Sequence, residues 1–300
     1  MEKSQLSELV DSASPRSVMG EVEDIMTQIS PAIDLSRFAV CFEDVLALFE
    51  GGYPGYRACN LEYHDLKHTT DTLLALARLI HGAVVEKKPM TLHNIELALI
   101  TALLHDTGYI QTEDDDEGTG AKYTAVHIER SLDFMRKYYA ANDFTQTDLK
   151  ISEQILRCTG LTVKISEVKF HSGDVEMLGK MMGTADLLGQ MGDRCYLEKL
   201  LFLYHEFREG KVGDYRNELD LLEKTVGFYE MTVKRLTKDL GGVDRLMRPH
   251  FRVRWNIDHN LYAEAIERQI EYLVKILDED RDNYRSHLKR DGLVSKLERL

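Results

Sequence analysis

The stretch ELALITALLHDTGYI, Glu96 to Ile110, decides how the chain is read. From Ile95 to Leu104 it is almost wholly apolar, which predicts a helix buried on most sides. It then runs straight into His105 and Asp106, two side chains that are expensive to enclose. An unpaired carboxylate in apolar surroundings costs several kcal/mol or gives up its charge. Neighbouring residues on a helix point about 100° apart, so the doublet cannot simply turn outward together. At a helix end, however, both can converge on one ion, and Gly108 is well placed to end this helix. The plainer alternative is a helix C-terminus with a solvated His and Asp.

Two further polar signals sit on apolar helices. In NLEYHDLKHTTD (Asn60 to Asp71), His64 and His68 are four apart and share one face. That spacing suits two metal ligands, or one ligand beside an acid–base group; an exposed pair is the bland alternative. In EMLGKMMGTADLLGQM (Glu176 to Met191), Asp186 stands among Met181, Met182, Leu187 and Leu188, while Gly183, Thr184 and Ala185 let another helix approach. An acid there needs an arginine, a helix N-terminus or a metal, and a structural pair with Arg194 would also serve. Two imidazoles and two carboxylates suit Zn, Fe or Mn, with water filling the open positions.

The rest of the chain sets the frame. With only 5 Pro and 20 Gly in 300 residues, and no strand alternation, an all-α fold is expected. DTLLALARLI (Asp71 to Ile80) reads as central. NLYAEAIERQIEYLVKIL (Asn260 to Leu277) puts Tyr262, Ile266, Ile270, Leu273 and Leu277 on one stripe of an outer helix. One helical domain is expected over 41–280, with a flanking helix or tail over 1–40 and a tail over 281–300; the helices from about 211 could form a subdomain. A net charge of −13 argues against nucleic acid or an anionic membrane as partner. It also requires something local, such as a bound metal, to reverse the field for an anionic substrate. Cys41, Cys59, Cys158 and Cys195 form no CxxC, so reduced thiols are expected. No run approaches the ~20 apolar residues of a membrane span, and MEKSQLSELVDSASPRS lacks a signal-peptide layout. A soluble, cytoplasmic protein is expected, and nothing in the sequence excludes a homo-oligomer.

The order His, His-Asp, Asp on a helical core resembles the HD superfamily of metal-dependent phosphohydrolases. YHDLKHTTDT further resembles the cyclic-nucleotide phosphodiesterase branch, whose motif reads Tyr-His-Asn-x-x-His-x-x-Asp-Val. Tyr63, His64, His68 and Asp71 match it, while Asp65 replaces Asn and Thr72 replaces Val. The likeness runs from about Tyr63 to Gln190. It implies a compact multi-helix fold in which His68, His105, Asp106 and Asp186 ligate a first metal (Zn, Fe or Mn). Asp106 would also bridge to a possible second metal (Mg or Mn), and His64 would be the general acid. The implied activity is hydrolysis of a nucleotide or cyclic-nucleotide phosphoester; the alternative is a silent module that keeps the fold and the metal. Asp65 sets a carboxylate beside the acid, or marks a different substrate.

Weaker candidates complete the reading. His127 could supply a further ligand or an outer supporting group, as could Asp65, or it could be a satisfied structural histidine. His171 is expected to be exposed. Asp114 to Asp116 lack the spacing of a calcium loop and read as a solvated acidic loop. Arg248, Arg252 and Arg254 could clamp phosphate, but a surface or salt-bridging role suits them better. The selective pocket is expected among helices such as LFLYHEF (Leu201 to Phe207).

Overall fold

Helix forms wherever apolar residues recur at helical spacing, and no strand forms among residues 5–297, which this computed structural model describes. Helices α1 (Pro15–Ile29) and α2 (Ser36–Glu50) precede α3 (Leu66–Val85) and α4 (Leu92–Leu104). Then come α5 (His127–Ala141), α6 (Gln146–Arg157), α7 (Gly173–Gly192) and α8 (Tyr196–Gly210). The remaining long helices are α9 (Glu218–Lys234), α10 (Met247–Trp255) and α11 (Leu261–Glu279); the short α12 (Tyr284–His287) and α13 (Leu293–Leu297) follow. The expected all-α class is what the chain adopts.

The centre is α3. Asp65 caps it by accepting a hydrogen bond from His68 N at 2.8 Å. Every residue from His68 to Ala83 is buried, because α1, α4, α7 and α10 surround the helix. Val18, Val22, Ile25 and Met26 of α1 are fully buried, each contributing about 1.5–3 kcal/mol relative to exposure. The closest partner is α7, and Gly189 permits the approach: a Cβ there would sit 3.0 Å from Thr72 N.

The predicted stripe on α11 buries Tyr262, Ile266, Ile270 and Leu273. Near the end of the described chain, Leu288 and Val294 join the same core. Helix α2 stops at Gly51, whose φ of +82° suits glycine after a helix end. Among the described residues, no helix is long and apolar enough to cross a membrane.

One detail departs from expectation at the decisive stretch. Helix α4 ends at Leu104, and Thr107–Tyr109 form a 3₁₀ turn. Gly108 therefore does not end the helix. It lets this turn press on the start of α5, since a Cβ there would lie 2.0 Å from His127 O.

Candidate metal centre

Three helices bring the expected groups together. His68 sits in the first turn of α3, His105 and Asp106 follow the end of α4, and Asp186 lies on α7. His68, His105 and Asp106 are buried, and each offers one ligand atom within 4.8 Å of the others, so this cluster could hold a metal ion. His68 Nε2 lies 3.3 Å from Asp106 Oδ2, 3.2 Å from Asp186 Oδ1 and 3.3 Å from His105 Nε2. His105 Nε2 lies 3.3 Å from Asp106 Oδ2 and 3.8 Å from Asp186 Oδ1. Two ligands bound about 2.0–2.2 Å from one cation stand roughly 3–4 Å apart, so these spacings fit a shared ion.

The chemistry of the donors agrees. His105 Nδ1–H donates to Ala102 O at 2.8 Å. That fixes the tautomer and leaves the Nε2 lone pair facing the cluster, the usual outer support of a ligating imidazole. Asp106 Oδ2 and His68 Nδ1 are buried without a hydrogen-bond partner among the described residues. His68 also borders a cavity of about 10 Å³, near the size of one water, shared with Tyr63, Asp71, Gln190, Asp193 and Lys199.

Electrostatics point the same way. Burial alone would strip His68 of its proton, but Asp106 and Asp186 outweigh it and raise the imidazole to about 10. His105 is raised against burial by Asp106. Burial opposes the Asp106 carboxylate, yet the two imidazoles hold it well below the usual range. Two enclosed carboxylates thus demand positive charge, which either imidazolium protons or a cation can supply.

His64 stands beside this cluster, its ring centroid 6.0 Å from that of His68. Its Nδ1–H donates to Glu206 Oε2 at 2.6 Å, and Glu206 Oε1 accepts from Tyr63 N at 2.9 Å. The opposite nitrogen, Nε2, is left to act. Tyr109 lies flat on the His64 ring, with centroids 4.3 Å apart and planes at 17°. His127 also stacks on Tyr109, at 4.7 Å, with its ring centroid 6.4 Å from that of His64. The Tyr109 hydroxyl lies 3.4 Å from Nε2, a long hydrogen-bond contact.

Other expected residues fall elsewhere. Asp65 turns from His64 to cap α3 and pair with Lys199 Nζ at 3.0 Å. The carboxylate that meets His64 is Glu206, on α8 within the LFLYHEF stretch. Asp186 makes no pair with Arg194. The first residue of α5 is His127, whose Nδ1–H donates to Thr124 O at 2.7 Å; burial pushes its imidazole below the usual range. His171 is exposed. Asp115 differs from the solvated acid expected, because its carboxylate takes Lys122 Nζ and Tyr123 Oη and staples the acidic loop. Arg248, Arg252 and Arg254 pair with Asp258, Glu86 and Glu21.

Glu206 was missed as a functional residue, although its signal was present. It falls three and four residues after Leu203 and Phe202, on the buried side of α8, the same anomaly that singled out Asp186. If Glu206 orients the His64 ring, Glu206→Gln should lower kcat about 10–10²-fold with metal content unchanged. Steady-state kinetics and elemental analysis of one preparation check both halves.

Residues 54–246 match the family model described as Npun_R2479-like, a span that includes every residue of the cluster together with His64 and Glu206. No curated protein and no solved structure matches the chain.

Proposed function

The chain belongs to the Npun_R2479-like family, and we propose that it is a metal-dependent phosphohydrolase acting on a nucleotide or cyclic-nucleotide phosphoester. One observation carries the reading. Four metal-competent side chains converge beside an imidazole whose Nδ1 is tied to Glu206 and whose Nε2 has a loose contact, 3.4 Å, with the Tyr109 hydroxyl. Metal binding alone would not require that imidazole. A catalytic module does, because the leaving oxygen of a phosphoester must gain a proton.

His68, His105, Asp106 and Asp186 would hold the ion, with Zn, Fe or Mn suited to this donor set. A divalent ion held there supplies Lewis acidity toward a phosphoryl oxygen and acidifies water. The chain's own residues do the rest. Glu206 accepts the Nδ1–H of His64, the Tyr109 and His127 stack holds the ring plane, and His64 in its imidazolium form delivers the Nε2 proton. Placement on the ends of packed helices keeps these groups rigid relative to one another. The likeness of YHDLKHTTDT to cyclic-nucleotide phosphodiesterases favours a diester substrate.

The test begins with elemental analysis of the purified protein. A panel of phosphodiesters and phosphomonoesters follows, with Mn or Mg added. Turnover that disappears with chelator is expected. Protein that binds Mn yet hydrolyses nothing across the panel would leave a binding or signalling module instead.

A further inference from the structure

A cavity of about 280 Å³ lies between the N-terminal segment, α3, the end of α7 and α11. Neither the four candidate ligands nor His64 lines it. Arg78 of α3 does, and its charge is permanent in a protein. The residue is 1% exposed. Its Nη1 donates to Tyr262 Oη at 3.0 Å, and its guanidinium carbon lies 5.5 Å and 5.6 Å from the ring centroids of Phe251 and Tyr262. Nε and Nη2 have no hydrogen-bond partner among the described residues. Tyr262 brings no negative charge, because burial raises its phenol. Arg78 thus has aromatic faces and one hydroxyl, but no counter-ion among the described residues.

Neighbouring and more distant cations are satisfied. Lys67, which lines the same cavity, lies 2.6 Å from Asp71 and 3.1 Å from Asp193, and the buried Lys199 lies 3.0 Å from Asp65. Arg235, also buried, donates to Val163 O and Gly160 O at 2.8 Å and 2.9 Å. A buried charge without such partners is costly, and Arg78 stands at the wall of a space that could admit one. The acids of that wall are engaged or peripheral. Asp71 and Asp193 are held by Lys67, Asp291 Oδ2 accepts from Cys195 Sγ at 3.0 Å, and Asp11 is exposed. Arg194 is exposed at the same cavity.

We propose that this cavity binds a small molecule bearing an oxyanion, phosphate or carboxylate, with Arg78 as its counter-charge. The guanidinium fork matches either group, and because Nε and Nη2 are closed to water in this structure, that contact needs a small shift of the side chain toward the cavity. Leu6, Val10 and Leu74 offer an apolar wall for the rest of the ligand, and the volume suits a small metabolite. The site shares Asp71 and Asp193 with the small cavity beside His68, but it does not rest on the hydrolase reading.

The test uses the full chain, treated with chelator so that the metal centre cannot hold anions, in anion-poor buffer. Inorganic phosphate and malonate are titrated separately by calorimetry, and the unfolding temperature is followed. One of them should bind saturably at one per chain and raise Tm by about 3 °C at tenfold its Kd. Binding of phosphate alone marks a phosphoryl ligand, and of malonate alone a carboxylate. Arg78→Met should weaken binding at least tenfold. It should also unfold no earlier than the parent without anion, because an unpaired buried charge is gone. Val10→Trp, which fills the cavity from the N-terminal side, should abolish binding even if Arg78→Met does not fold. Saturable binding by neither anion, or undiminished binding in either folded variant, overturns the proposal.

Discussion

Replacing His64 by alanine is expected to lower turnover about 10²–10⁴-fold while the protein keeps its metal. The separation of the two effects follows from position. His64 takes no part in the cluster of ligand atoms, and its Nδ1 is committed to Glu206, so its removal should not disturb the ion. What disappears is the proton for the leaving oxygen. The choice of substrate can isolate that role. An alkyl or ribosyl oxygen is a strong base and needs protonation as the bond breaks. A nitrophenyl oxygen is a weak base and needs little. The defect should therefore be large on a natural-type ester and much smaller on an aryl ester. Equal losses on both would mean that His64 does not donate the proton, even if it matters for activity.

The parts legible in the sequence were those where a polar residue broke an apolar pattern. His105 and Asp106 follow a helix buried from Asn94 to Leu104, and Asp186 interrupts another. Burial of such groups demands a partner, and the simplest shared partner is a cation. Spacing put His64 and His68 on one helix face, which the fold does not form because His64 precedes the helix, and spacing could not tell ligand from proton donor. In the fold only His68 reaches the cluster, because α3 begins at Leu66 and leaves His64 in the turn before it. Partnerships across long separations were not legible. Glu206 meets His64 from 142 residues away, and Lys199 takes Asp65 from 134. Each depends on how α8 lies against the start of α3, which no local pattern encodes. The role of Gly108 was misjudged for the same reason: its neighbour is α5, not the next turn of its own helix.

Asp106 is where the largest combined loss is expected. Its Oδ2 lies 3.3 Å from both His68 Nε2 and His105 Nε2, so one carboxylate oxygen faces both imidazoles. Asp106→Ala should abolish detectable turnover and leave well under a tenth of the metal after dialysis. Loss of even an outer supporting group typically costs 10–100-fold in affinity, and a ligand costs more. The fold should survive, because one imidazolium can stay paired with Asp186 while the other releases its proton, which leaves no stranded charge. Asp106→Asn sharpens the point by keeping the shape and removing the charge. If packing were the role of Asp106, Asn would restore metal and activity; if charge on the cation is the role, Asn should behave like Ala. An Asp106→Ala protein with full metal and undiminished turnover would remove Asp106 from the centre. The contrast with His64 is then the decisive pair: one substitution loses the proton and keeps the ion, the other loses both, and only a site that divides binding from proton transfer between these residues yields that pattern.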